Sequence, residues 1–210
     1  ISSNMQSNDN YTSPHTYEIQ SNDTLFGTYN FAVSEIEVFS LSNFTSVIIT
    51  NSADISSLSN LINLANAQLL YRGSRDGFNA SAFHSRCDNK GATLTVIRAS
   101  NGRIAGGFNS VNWNQSGSYS GVSRGNNWLF RVVNGSATKY LNTGTSPESY
   151  SIYNQSNYGP TFGGGHDMYI SNNMQSNENY TNPYTYALSS NDVLFGTYQF
   201  TVSEIEVFSV

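Results

Sequence analysis

The sequence predicts an α+β fold, a β-rich antiparallel two-sheet sandwich flanked by short helices. Three observations predict it. Strand-like runs of β-branched and aromatic residues dominate after residue 92, and two of them flank the turn Ser100-Asn101-Gly102. Apolar residues at helical spacing occur only in two short stretches before residue 88. Hydrophobic residues make up 38% of the chain, including 14 Tyr and 12 Phe, which is enough to close a core.

Each element follows from its residues. Ile55, Leu58, Leu61 or Ile62, and Ala65 recur at helical spacing, and Ser52 or Asp54 can cap the first free amides. Gln68 to Tyr71 reads as a short strand. Asn79 to Cys87 reads as a second helix with Phe83 and Cys87 on one face, ended by the turn Asp88-Asn89-Lys90-Gly91. Thr93 to Arg98 and Arg103 to Phe108 form a hairpin, and Trp128 to Val133, Tyr150 to Asn154 and Met168 to Ser171 extend the set. Leu194 to Phe200 and Glu204 to Val210 close it, the last with Glu204, Glu206 and Phe208 alternating with Ile205, Val207 and Ser209. Ser/Gly/Asn-rich loops are expected at 109–127 and 134–149.

The chain contains one stretch twice. Residues 1–41 align with 170–210 at an offset of 169, and 30 of the first 40 pairs are identical. The chain therefore reads as one unit with a second copy of its closing segment, like a window from a periodic polypeptide. The expected organisation is 1–41 as the closing strands of a preceding repeat, 42–53 as an inter-repeat linker, and 54–210 as the complete domain. The paired aromatics Tyr11/Tyr180, Phe26/Phe195, Tyr29/Tyr198, Phe31/Phe200 and Phe39/Phe208 are expected to be core-facing strand residues. Charge divides along the same lines. The two copies are acidic and lack Lys and Arg, whereas 42–169 carries all nine basic residues. A basic body and an acidic tail are expected to pair, within one fold or between neighbours.

Composition bounds the function. Only 11% of residues are charged, and Lys occurs only at Lys90 and Lys139, so the surface reads as extracellular or cell-surface. The net charge of −5 gives no support for nucleic-acid binding, and no apolar run is long enough to span a membrane. No basic-then-apolar leader opens the chain, which reads as a mature or internal piece. Sequons stand at Asn10, Asn22, Asn43, Asn79, Asn114, Asn134, Asn154 and Asn179, each an acceptor for a covalent N-glycan in a secreted chain. Their number is about what the Asn, Ser and Thr content gives by chance.

Few residues offer chemistry. Cys87 is the single cysteine, expected as a small buried hydrophobe. His84, Cys87 and Asp88 lie close enough to raise Cys–His activation, but no acid is evidently placed to orient the imidazole. Gly163-Gly164-Gly165-His166-Asp167 lacks the Gly-Lys-Ser/Thr ending of a phosphate loop, and no metal-ligand spacing is present. Its glycines are expected to let the backbone turn into the next strand. Arg75-Asp76-Gly77 is expected to hold a turn by a local ion pair. No catalytic residues, metal or cofactor are assigned.

A family resemblance arises at these residues. Leu70-Tyr71-Arg72-Gly73-Ser74-Arg75-Asp76-Gly77-Phe78 is followed by Phe83-His84-Ser85-Arg86-Cys87-Asp88-Asn89-Lys90-Gly91-Ala92-Thr93. Then come Gly106-Gly107-Phe108, Trp113, Trp128-Leu129-Phe130, Gly159-Pro160-Thr161-Phe162 running into the glycine loop, and Glu204-Ile205-Glu206-Val207-Phe208. In this order the set resembles the TLDc domain of oxidation-resistance proteins. The resemblance implies a two-sheet sandwich with flanking helices, in a family without established enzymes. It also implies an alternative function, an intracellular stress-response or proton-pump-binding module. The leading expectation is a non-enzymatic structural repeat of an extracellular, N-glycosylated fibre or surface filament. Its partners would be neighbouring repeats in a homopolymer or tandem array, with 1–41 at the junction.

Overall fold

The computed structural model describes residues 44–210, and the chain divides into two units between Leu41 and Ser42. The element order is α1 (Ser52–Ser59), β1 (Gln68–Arg72), α2 (Gly73–Asp76), α3 (Ala80–Cys87), β2 (Thr93–Ala99), β3 (Ile104–Asn109) and β4 (Ser118–Ser120). There follow β5 (Trp128–Val133), β6 (Ser136–Leu141), β7 (Ile152–Asn154), β8 (Thr161–Phe162), β9 (Asn179–Tyr180), β10 (Gln199–Phe200) and β11 (Val202–Ser209). One sheet runs β1-β11-β2-β3-β5-β6, a second β4-β7-β8, and β9 pairs with β10. Every named pairing is antiparallel. The expected β-rich sandwich with short flanking helices is the observed fold.

The large sheet is buried on both faces. On the inner face Ile97, Ala105, Leu129, Ile205 and Val207 meet Ile152 and Phe162 of the second sheet, with Met168 and, from the tail, Ile170, Phe195 and Phe200. On the outer face Leu94, Val96, Phe130 and Phe208 meet Leu58 of α1, Leu64, and Phe44, Ile48 and Ile49. Pleating sends alternate side chains of one strand into the two clusters. Helix α1 is started by Asn51, whose side chain accepts from the Ala53 amide at 2.8 Å. It is tied to the β5–β6 hairpin by Asp54 and Ser57, which accept from the Gly135 and Ala137 amides at 3.0 and 2.7 Å.

The boundaries show where tertiary context overrode local pattern. Phe44, Ile48 and Ile49 sit in the outer cluster, so the segment read as a linker at 42–53 is part of the domain, which begins well before residue 54. The loop expected at 134–149 contains β6. Asn134 and Gly135 both adopt positive φ, at 50° and 79°, as a two-residue hairpin turn requires. The polar strand Ser-Ala-Thr-Lys-Tyr-Leu concealed the pairing. The loop expected at 109–127 likewise holds β4. Leu194 to Phe200 is a strand only at Gln199–Phe200, because Gly196 turns with φ of 73° and its amide bonds the Asp192 carbonyl at 2.7 Å. Met168 to Ser171 makes only single bridges, Phe162 to Met168 and Tyr169 to Tyr180.

In strand β11 the sequence sets Glu204, Glu206 and Phe208 on one side and Ile205, Val207 and Ser209 on the other. The strand lies between β1 and β2, and Glu204 and Glu206 are buried with Ile205, Val207 and Phe208. The fully buried Glu206 carboxylate accepts Arg72 Nε at 2.8 Å, the Val47 amide at 3.2 Å and the Ser46 hydroxyl. Glu204 accepts the Ser74 and Ile205 amides at 3.1 and 3.0 Å. Among the described residues, the expected charge complement of tail and body comes down to the single ion pair Arg72–Glu206, at 2.7 Å.

Candidate functional site

Three clusters bear on function, and helix α3 carries the first. Asn79 caps it, accepting from the Ala82 amide at 2.9 Å, and the helix turns His84 and Cys87 inward. His84 Nδ1 lies 2.7 Å from Asp88 Oδ1, so Asp88 orients the imidazole after all, one helical turn on. Nε2 faces the Gln155 and Tyr158 carbonyls at 3.0 and 3.1 Å. Both ring nitrogens are therefore held by partners other than the Cys87 thiol. Cys87 is fully buried in the inner cluster, and burial pushes its thiol far up, helped by the Asp88 charge. A nucleophilic cysteine needs the opposite environment. The trio ties α3 to the 155–158 loop.

The glycine loop is the second. Gly163 has φ of 86°, and a Cβ there would meet Asp167 Oδ2 at 1.8 Å, so only glycine fits. Asp167 is fully buried and accepts the amides of Tyr184, Thr185 and Tyr186 at 2.8, 2.9 and 2.7 Å. Burial raises its pKa, and the three amides pull it back. The glycines turn the backbone as expected, and the carboxylate clamps it, a role the sequence did not indicate. Among the described residues no three His, Cys, Asp or Glu side chains gather as metal ligands.

The third is Arg75-Asp76-Gly77. Arg75 pairs with Asp76 at 2.7 Å, as expected, and Asp76 also accepts the Arg72 amide at 2.9 Å. The Arg75 guanidinium holds the Asp76 carboxyl below its usual range. All three polar clusters therefore do structural work.

Sequence reading missed a surface feature. Of the paired aromatics, Phe195, Phe200 and Phe208 are core residues, but Tyr180 is half-buried and Tyr198 is 46% exposed. They end a row of rings outside both core clusters, Tyr119, Tyr153, His166, Tyr169, Tyr180 and Tyr198. Several of these residues lie in loops, so no periodicity in the sequence joins them.

The sequons differ in access. Asn134 is exposed at the β5–β6 turn, and Asn79 and Asn114 are half-buried. Asn154 and Asn179 are fully buried. The Asn154 amide nitrogen donates to Ser120 Oγ at 2.9 Å, and that of Asn179 to the Met174, Ser176 and Phe200 carbonyls at 2.8, 2.8 and 3.0 Å. The folded domain leaves no room for a glycan on either nitrogen. Asn10, Asn22 and Asn43 lie outside the described residues.

A doubly covered antiparallel sheet, a second smaller sheet and polar clusters committed to the backbone define a β-sandwich module of the α+β class. The TLDc domain matches residues 43–210, and the chain belongs to that family. No curated protein matches the chain. Two glycines of the resemblance motifs stand where no side chain fits. A Cβ on Gly106 would lie 2.0 Å from the Thr95 carbonyl oxygen, and one on Gly107 would lie 2.8 Å from the Phe162 ring.

Proposed function

We propose that the chain is a non-enzymatic structural repeat of an extracellular fibre or surface filament, with residues 1–41 as the junction between repeats. One observation carries this reading. The segment 170–210 supplies β9, β10 and β11, including an interior strand of the large sheet. Among its buried side chains only Leu188 differs in the first copy, as Ile19. The remaining substitutions fall at exposed or half-exposed positions, such as Asn182/Ser13 and Gln199/Asn30. The first copy therefore keeps every buried group that closes a domain of this fold except Leu188, which it replaces with another aliphatic residue, Ile19. Strand exchange between repeats would use the same groups. Glycans on Asn79, Asn114 and Asn134 belong to this proposal, and the Lys-poor surface supports an extracellular setting.

Fragment complementation tests it. Residues 42–169 are mixed with a separate peptide of 170–210 or of 1–41, and native near-ultraviolet circular dichroism is followed. Both peptides should restore the fold. Failure of 1–41 where 170–210 succeeds would refute the junction. Electron microscopy of native material, with intact mass before and after glycosidase, tests the fibre and its glycans. An unglycosylated, cytosolic, non-filamentous chain would favour the stress-response or pump-binding alternative.

A further inference from the structure

The tyrosine row is not needed to close either core. Tyr119 and Tyr153 face each other across β4 and β7, with ring centroids 4.5 Å apart. From Tyr153 the row passes to His166 at 5.5 Å, Tyr169 at 5.5 Å, Tyr180 at 4.8 Å and Tyr198 at 5.7 Å. Tyr158 packs against the middle, 4.8 Å from Tyr169. All of these rings are half-buried or exposed. Contiguous aromatic surface of this kind marks an interaction site.

We infer that the row binds a neutral polysaccharide chain external to the protein. The charge pattern selects this occupant. Every ring-to-ring contact in the row joins Tyr or His, and the charged side chain acting on its middle is the carboxylate of Glu178. The basic groups that pair lie elsewhere, Arg72 on Glu206, Arg75 and Arg86 on Asp76, Arg124 on Glu148, and Lys139 over Trp128. A phosphate-bearing strand needs cations beside its stacking platform, and no Lys or Arg is among the groups that act on Tyr119, Tyr169 or Tyr180. A hydrocarbon would strand the tyrosine hydroxyls. Among the described residues the hydroxyls of Tyr158, Tyr169 and Tyr198 have no protein hydrogen-bond partner. A sugar ring pairs an apolar C–H face with a rim of hydroxyls, and tyrosine presents the matching surface, an apolar ring with a polar tip. His166, Tyr169 and Tyr180 are mutually adjacent, His166 and Tyr180 at 6.3 Å, so the rings form one continuous patch rather than isolated platforms. The outer rings recur in the first copy as Tyr11 and Tyr29.

The test uses the full 210-residue chain from a host that adds no N-glycans, run through native gels containing soluble β-glucan, mannan or xylan. Heparin and single-stranded DNA gels serve as charged controls. Retardation by at least one neutral polymer is expected. Tyr198→Ala should weaken it about tenfold, and Tyr198→Phe should retain most of it. Near-ultraviolet dichroism and melting of the variants establish that the fold is intact. Three outcomes would overturn the inference: no retardation by any neutral polymer, equal retardation of wild type and a Tyr158→Ala/Tyr198→Ala variant, or retardation by the charged polymers alone. Concentration-dependent self-association abolished by Tyr198→Ala would also overturn it, in favour of a second copy as the occupant.

Discussion

Cys87 is a sulfhydryl in chemistry but a hydrophobe in place. In the native protein it should ignore an aromatic disulfide reagent and react stoichiometrically in denaturant; rapid native reaction would contradict its burial. Asp167 is the reverse, a charge kept inside because three amides point at it. Asp167→Ala leaves those amides without an acceptor and should cost about 3 kcal/mol or more in urea unfolding. A change within about 0.5 kcal/mol would show that the clamp is dispensable. His166 is faced by the rings of Tyr153, Tyr158, Tyr169 and Tyr180, and burial lowers its pKa from 6.5. The unfolded chain therefore takes up a proton at a higher pH than the folded one. The stability this provides is present above the unfolded pKa and is lost as pH falls through the folded value. The melting temperature should drop between about pH 7 and 5, and His166→Gln should flatten that drop. Of these roles the sequence predicted the buried thiol and the glycine turn. It could not reveal the Asp88 partner of His84 or the amides around Asp167, because those contacts depend on where loops return.

At the scale of elements, pattern and context contributed unequally. The Thr93/Phe108 hairpin and Trp128–Val133 were legible because period-two apolar strands and a Gly turn carry their own signal. Strand β6 was not, because its side chains are mostly exposed and its apolar residues few. Strand β11 was legible as a strand but not as an interior one covered on both faces. Alternating Glu residues normally mark a wet face. Here the two carboxylates are satisfied by Arg72, Ser46 and the Ser74 amide, and residues 44–49 pack over Phe208 between them and the chain end. Ile205 is fully buried in the middle of this strand. Ile205→Ala should cost about 2–5 kcal/mol by the chemical-denaturation midpoint, with the slope unchanged. Ser203, two residues earlier on the same strand, is exposed and serves as the control. Ser203→Ala removes only the bonds from its hydroxyl to the Arg98 and Ala99 carbonyls, at 2.9 and 3.2 Å, and should cost no more than about 1 kcal/mol.

For the whole molecule, the decisive boundary is the start of the domain. The outer core cluster closes on residues from Phe44 onward. A fragment of 42–210 should therefore fold cooperatively, whereas 54–210 should be weaker by several kcal/mol. That loss follows from uncovering Phe44, Ile48 and Ile49, each worth about 1.5–3 kcal/mol when buried. Equal thermal unfolding of the two fragments would restore the linker reading. The sequence by itself determined the fold class, the order of its strong strands, the TLDc resemblance and the duplicated closing segment. All of these are written in local periodicity or in direct self-alignment. Only the tertiary structure decided that the closing strand lies inside the sheet, that Asn154 and Asn179 are sealed, and that scattered tyrosines form one row. Burial and adjacency are properties of pairs of segments far apart in the chain, and no window of sequence contains both members of such a pair.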